Sequence, residues 1–201
     1  MLENRDYTLI IDKSASMSTQ DQKNGTSRWV ALQESTFALA TKCEEFDLDG
    51  ITIYVFAKEF KRYDHVTSAK VKQIFTENIP GDTTNLAGVL QDAINNYLQR
   101  KANSQTKPAG EVILVVTDGT QGDRKAVYEI IINATQHLDN PQELRIYLIQ
   151  VGADTKAAKF LHALDDGLQS VGAKFDICDT ITLEELEEMS LTDVLIKAIT
   201  G

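Results

Sequence analysis

The sequence predicts an α/β fold: a doubly wound, mainly parallel central sheet flanked by helices, with one short edge strand antiparallel. Three observations predict it. Short apolar runs alternate with longer stretches of three-and-four spacing, which is the pattern of βαβ crossovers. The run Val112 to Val116 holds no polar residue, as expected of a strand covered on both faces. The chain has 201 residues, 42% hydrophobic and 25% charged, enough to bury a real core and ordinary for a globular protein.

The elements follow in order. Tyr7 to Ile11 is a buried strand ending at Asp12, and residues 13–27 are rich in Ser, Asp, Gln, Asn and Gly, a loop composition. Arg28 to about Lys42 reads as a largely buried helix carrying Trp29, Leu32, Phe37 and Leu39. Gly50 to Phe56 is a strand, Phe60 to Tyr63 a second short one, and Ser68 to about Glu77 a helix before the turn Pro80-Gly81-Asp82. Leu86, Val89, Leu90, Ala93, Ile94, Tyr97 and Leu98 form one helical stripe. Val112 to Val116 is the central strand, Arg124 to about Leu138 a helix, Leu144 to Val151 a strand, Thr155 to about Leu168 a helix, and Phe175 to Cys178 a short edge strand. Thr182 with Glu185, and Ser190 with Asp193, have capping-box spacing, so the tail should be helical. Trp29, Phe37, Phe56 and Phe60 are expected in the core.

Net charge is −10, which disfavours a nucleic-acid or anionic-membrane surface. No stretch reaches the ~18 apolar residues of a membrane span. The short run after Met-Leu-Glu-Asn-Arg-Asp lacks the features of a signal peptide, so a cytoplasmic location is expected. Cys43 and Cys178 form no CxxC pair and are expected to be free and buried. His65, His137 and His162 show no ligand spacing.

In such sheets ligands sit beyond the carboxyl ends of the strands. Three polar clusters fall there: Asp12-Lys-Ser-Ala-Ser16, Gly81-Asp-Thr-Thr-Asn-Leu86 and Thr117-Asp-Gly-Thr120. Asp12 and Asp118 offer charge, and Ser14, Ser16 and Thr84 offer neutral oxygens. An all-oxygen set suits Mg²⁺, with Mn²⁺ acceptable; Ca²⁺ wants more carboxylate or carbonyl oxygens, and Zn²⁺ wants nitrogen or sulfur. Asp82, Asn85, Gly119 and Arg28 are candidates for supporting those loops. Each residue also has a plain reading: Asp12 as a turn or cap residue, Thr83 or Thr84 as the cap of the helix near Leu86, Gly119 as a turn residue, Asp82 as a solvent-facing turn residue, and Arg28 as an ordinary surface cation. Neither D-x-D, a P-loop nor a dinucleotide-binding glycine turn follows the first strand, which argues against an enzyme.

The clusters resemble a known signature. Asp12-Lys-Ser-Ala-Ser16 is similar to the D-x-S-x-S motif of von Willebrand factor type A (vWA) domains, which share the integrin I-like fold; Thr84 matches the threonine of the second motif and Asp118 the aspartate of the third. Ala15 stands where the family often has glycine. The resemblance implies a Rossmann-like vWA domain over 1–201, with a core of about 6–180 and a C-terminal helical segment of about 182–200. It also implies an adhesion-type metal site in which Asp12, Ser14, Ser16, Thr84 and Asp118 hold Mg²⁺ and a partner's Asp or Glu completes the shell. The short leader and acidity look like intracellular bacterial members of the tellurite-resistance and stress type. The expected function is metal-dependent protein binding in complex assembly or stress response. The alternatives are a metal-dependent hydrolase and an assembly subunit whose metal is only structural.

Overall fold

The computed structural model describes residues 4–22, 25–45, 49–119, 124–181 and 189–200. Six strands make one sheet: β1 (Asp6–Asp12), β2 (Ile51–Phe56), β3 (Phe60–Val66), β4 (Glu111–Thr117), β5 (Leu144–Gln150) and β6 (Cys178–Ile181), in the order β3-β2-β1-β4-β5-β6. Every neighbouring pair is parallel except β2 and β3. Among the described residues, six α-helices flank the sheet: α1 (Arg28–Glu44), α2 (Ser68–Glu77), α3 (Leu86–Ala102), α4 (Arg124–Gln136), α5 (Thr155–Asp166) and α6 (Leu191–Thr200).

The sheet is covered on both faces because its central strands are apolar on both. Leu9 and Ile11 of β1, with Leu114 and Val116 of β4, pack with Trp29 and Leu32 of α1, Phe75 of α2 and Leu195 of α6. Ile10, Ile113 and Val115 point the other way, onto Val89 and Leu90 of α3, Ile131 of α4 and Leu161 of α5. The period of two thus feeds two separate cores from the same strands. Trp29 and Phe75 meet at 4.6 Å between ring centroids, joining α1 to α2.

The order in which strands are added reverses between β1 and β4. From β1 the chain crosses through α1 to β2 on one side; from β4 it crosses through α4 to β5 on the other. A crevice therefore opens between the carboxyl ends of β1 and β4, where the first and third polar clusters lie.

Several details differ from the sequence reading. Phe37 and Phe60 are 52% and 42% exposed, so neither belongs to the core, whereas Trp29 and Phe56 do. Phe37 falls off the buried stripe of α1. Phe60 opens the exposed edge strand β3 and leans on Tyr54 at 5.9 Å. The last strand runs Cys178–Ile181, not Phe175 to Cys178, because Cys178 to Ile181 is the segment in register with Ile146 to Ile149 of β5. The antiparallel edge strand is β3, and it continues to Val66. Cys43 and Cys178 are free and buried.

Ser190 and Asp193 do form a reciprocal cap. Ser190 Oγ donates to Asp193 Oδ2 at 2.6 Å, and the Asp193 N–H donates to Ser190 Oγ at 3.1 Å. The Thr182 and Glu185 pair lies outside the described residues. Among the described residues, no helix is long and apolar enough to cross a membrane.

Candidate functional site

Backbone bonds stitch the first two polar loops together. The Lys13 N–H donates to Phe56 O at 2.8 Å, Gly81 N–H to Lys13 O at 2.7 Å, and Ala15 N–H to Asp82 O at 3.4 Å. Asp82 holds φ at 67°, a left-handed conformation that Asp tolerates better than most residues, and its side chain faces solvent. Ala15 has no positive φ, so the methyl in place of glycine costs nothing there. Asn85, not Thr83 or Thr84, caps α3, accepting from the Gly88 N–H at 3.2 Å.

Thr84 is thereby released to the crevice. It joins Ser14, Ser16, Asp82, Thr83, Asp118, Gly119 and Arg28 around a cavity of about 400 Å³, closed on the far side by Ala153 and Asp154. Four of the five residues predicted to meet do line this cavity. Asp12 lies below it, with 0% exposure.

Asp12 is committed inward. Oδ1 accepts the Ser14 N–H at 2.7 Å, and Oδ2 lies 2.6 Å from Thr117 Oγ1. Thr117 Oγ1 also lies 2.8 Å from Gly119 O. The Thr117 hydroxyl thus faces two acceptors, the Asp12 carboxyl and the Gly119 carbonyl. Burial pushes the Asp12 carboxyl above its ordinary 3.8, and the bonds from Thr117 and Ser14 oppose that rise.

This leads to a prediction with a definite sign. A carboxyl whose folded value is raised stabilises the fold fully below its unfolded value. That contribution is lost as pH rises from 3.8 towards the folded value, at about 1.4 kcal/mol for each pH unit between the two. Asp12→Asn removes that loss, so at neutral pH the variant is expected to be at least as stable as the wild type. Urea unfolding across this range measures it. A variant weaker by more than about 1 kcal/mol at neutral pH shows that the charged form is the one the fold uses.

Asp118 is held by a cation supplied from within the chain. Arg28 Nη1 donates to Asp118 Oδ2 at 2.7 Å, and its Nε donates to Asp21 at 3.0 Å. The Nη2 also pairs with Asp21. The Arg28 side chain is only 11% exposed. The guanidinium holds the Asp21 carboxyl below its ordinary range. Beneath it lies Gly152, at φ 83°, where any Cβ would overlap the guanidinium. Arg28, read from sequence as a loop anchor or a surface cation, thus ties together the loop after β1, the end of β4 and the end of β5. Ser14 Oγ lies 3.1 Å from Ser16 Oγ and 3.5 Å from Asp118 Oδ1.

This arrangement corrects the expected metal chemistry. Among the described residues, no group of three or more His, Cys, Asp or Glu side chains is placed to hold a metal ion. One of the two candidate carboxylates is buried below the cavity with both oxygens in hydrogen bonds, and the other carries a guanidinium. A divalent cation would have to sit against that fixed positive charge. The residues do not fit Mg²⁺, Mn²⁺ or Ca²⁺. The metal-dependent adhesion function, the partner's acidic side chain as last ligand, the metal-dependent hydrolase and the subunit with a structural metal are withdrawn on this ground.

Sequence reasoning gave no role in the site to Asp21, Gly152 or Asp154, and named Thr117 only as the first residue of the third cluster. Asp154 caps α5, accepting from the Lys156 and Ala157 N–H groups at 2.8 and 3.2 Å. Gly152 carried a signal, a glycine closing a strand, but its partner is 124 positions away.

Comparison with known proteins places the chain. Residues 5–198 match the family model vWA-TerF-like, described as the vWA found in the TerF C terminus. No curated protein matches. Among solved structures, a variant of the PilB minor pilin from Streptococcus sanguinis matches with TM-score 0.60 at 13% identity, over 98% of this chain and 61% of the pilin. Proximal thread matrix protein 1 from the mussel byssus matches with TM-score 0.56 at 16% identity, over 97% of this chain and 46% of that protein. The chain therefore spans less than two thirds of either. At these identities the likeness is one of fold. The expected cytoplasmic location is also corrected: the similar structures are a pilin and a byssus protein, and nothing in them speaks for a cytoplasmic compartment.

Proposed function

Because the chain belongs to the vWA-TerF-like family, we infer that it is a non-catalytic protein-binding module, one vWA-like domain over 1–201, that engages its partner without a metal ion. The binding surface is the crevice at the carboxyl ends of β1, β4 and β5. One observation carries this reading. Among the described residues, the cation lining the cavity, Arg28, is turned onto Asp118 and Asp21, while Asp82, Asp154, Ser14, Ser16 and Thr84 also line it. Among the described residues, three lining carboxylates against one guanidinium leave the opening negative. The group it suits is a partner's Lys, Arg or amide side chain, which donates to carboxylates and hydroxyls alike.

The test is affinity capture from the cells that make the protein, in chelator and in magnesium, with the wild type and an Asp82→Asn/Asp154→Asn variant. Asparagine keeps the cap of α5. Capture is expected to be equal in chelator and magnesium, to weaken with salt, and to fall about ten-fold or more in the variant. Capture that needs magnesium, or that survives both substitutions, overturns the reading.

A further inference from the structure

The sheet ends at β3, and backbone parity shows which groups of that strand face outward. The Phe56 carbonyl accepts from the Lys13 N–H, on the β1 side. Peptide groups alternate in direction along a strand, so those of Ile53 and Val55 turn to β3. Their register partners, Tyr63 and Lys61, direct their own peptide groups back to β2. The peptide groups of Phe60, Arg62 and Asp64 therefore point away from the sheet. Among the described residues, no backbone bond reaches them. The open edge is short. His65 stands at φ 53° where the register with β2 shifts, and its carbonyl already accepts from Lys70 Nζ at 3.2 Å.

Charged side chains on an edge strand usually deter pairing. Their order here suits one partner. Arg62 and Asp64 lie two apart, hence on the same face, and bond each other at 2.7 Å. The Arg62 guanidinium lies 5.8 Å from the centre of the Tyr54 ring, and Asp64 Oδ1 accepts from Thr52 Oγ1 at 3.4 Å. Both charges are thus held by β2, yet their side chains stay 31% and 45% exposed. A positive-then-negative order along one strand meets its complement in an antiparallel copy of itself. The local charge agrees. In a chain of −10, the segment Phe60–Val66 carries Lys61 and Arg62 against Asp64 alone, so two copies repel less here than over their acidic surface.

We propose that β3 pairs with β3 of a second copy of this chain, antiparallel, about a two-fold axis at Tyr63. Outward peptide groups must meet outward peptide groups, which leaves three axes that engage more than one residue of Phe60, Arg62 and Asp64. An axis at Lys61 sets Lys61 against its own copy. An axis at Arg62 sets Arg62 against its own copy. Like charges directly opposite each other destabilise a sheet, and unlike charges stabilise it. The axis at Tyr63 alone opposes Arg62 to Asp64 of the other copy, twice over by symmetry. The charges then alternate around a square, each arginine between two aspartates, and Tyr63 faces its own copy across the axis. The two sheets become one.

The test is sedimentation equilibrium from about 1 μM to about 1 mM, the range in which a small interface associates. The wild type is expected to pass from monomer to dimer. Arg62→Asp alone and Asp64→Arg alone, each checked by circular dichroism to be folded, should weaken self-association about ten-fold or more. Mixed in equal amounts, these two variants should pair with each other about as well as the wild type does with itself, because every opposed pair is again unlike. Arg62→Asp/Asp64→Arg should recover self-association for the same reason. The crevice variant Asp82→Asn/Asp154→Asn should associate like the wild type, which keeps this interface distinct from the proposed function. A wild type that stays monomeric throughout overturns the proposal, as when the edge serves a strand of another protein. So does association indifferent to the single reversals, a mixture that fails to pair, or a loss of association in the crevice variant.

Discussion

Arg28→Gln is expected to lower the free energy of unfolding by about 3 kcal/mol, among the largest losses available to a single polar substitution here. The Asp118 side chain is 5% exposed, and its charged partner is the Arg28 guanidinium at 2.7 Å. Glutamine fills most of the volume but leaves the carboxylate buried beside a neutral amide. The cost is the uncompensated charge more than the lost bond. Asp21, with 36% of its side chain exposed, is rehydrated and adds little. Urea unfolding of Arg28→Gln, Asp118→Asn and the double variant forms the cycle. The double variant should recover much of the loss, because it removes both charges together. If the two losses simply add, the pair is not the unit proposed. Gly152→Ala should behave like a weaker Arg28→Gln, since the methyl displaces the guanidinium from its seat. With the positive charge built in, neither chelator nor magnesium should move the melting temperature of the wild type. A rise in magnesium would show a cation binding against the guanidinium.

The same arginine marks how far the sequence could be read. Strand positions and the parallel architecture were legible because apolar periodicity is a local property. So was the gathering of Ser14, Ser16, Thr84 and Asp118, because strand-end loops of such a sheet converge whatever they contain. The state of the site was not legible. Whether Asp118 faces a solvated ion or a guanidinium depends on a residue 90 positions earlier reaching across two loops. It depends as well on a glycine after β5 leaving room for it. Motif spacing records ligand types, not the charges that the rest of the chain brings beside them. The same limit applies to Phe37 and Phe60, aromatic residues on elements with one buried face, which an unaligned reading assigns inward by hydrophobicity alone.

At the opposite end of the sheet, Arg100→Met is expected to cost about 3 kcal/mol at neutral pH and clearly less in acid. Glu111, the first residue of β4, has a side chain 2% exposed. It accepts from Thr8 Oγ1 at 2.6 Å and pairs with Arg100, which also holds Asp6 at 2.6 Å. Burial raises the Glu111 carboxyl above its ordinary value, and Arg100 opposes that rise. Removing Arg100 leaves the Thr8 hydrogen bond as the remaining opposition to burial, so the folded-state value climbs further. The sign follows. Below the unfolded value, Glu111 is protonated in both states and the arginine contributes little through it. As pH rises, the unfolded chain of the variant releases its proton while the folded one resists, and the gap between wild type and variant widens. Unfolding curves at acid and neutral pH give the two gaps directly; a gap that stays constant, or widens in acid, refutes the buried-charge account. Because this cluster sits at the amino ends of the strands, Arg100→Met should weaken the fold while leaving capture by the Asp82 and Asp154 rim intact at temperatures where the variant is folded. Arg28→Gln should impair both. Paired in this way, the two substitutions separate a loss of binding that reflects instability from one that reflects the arginine's place beneath the crevice.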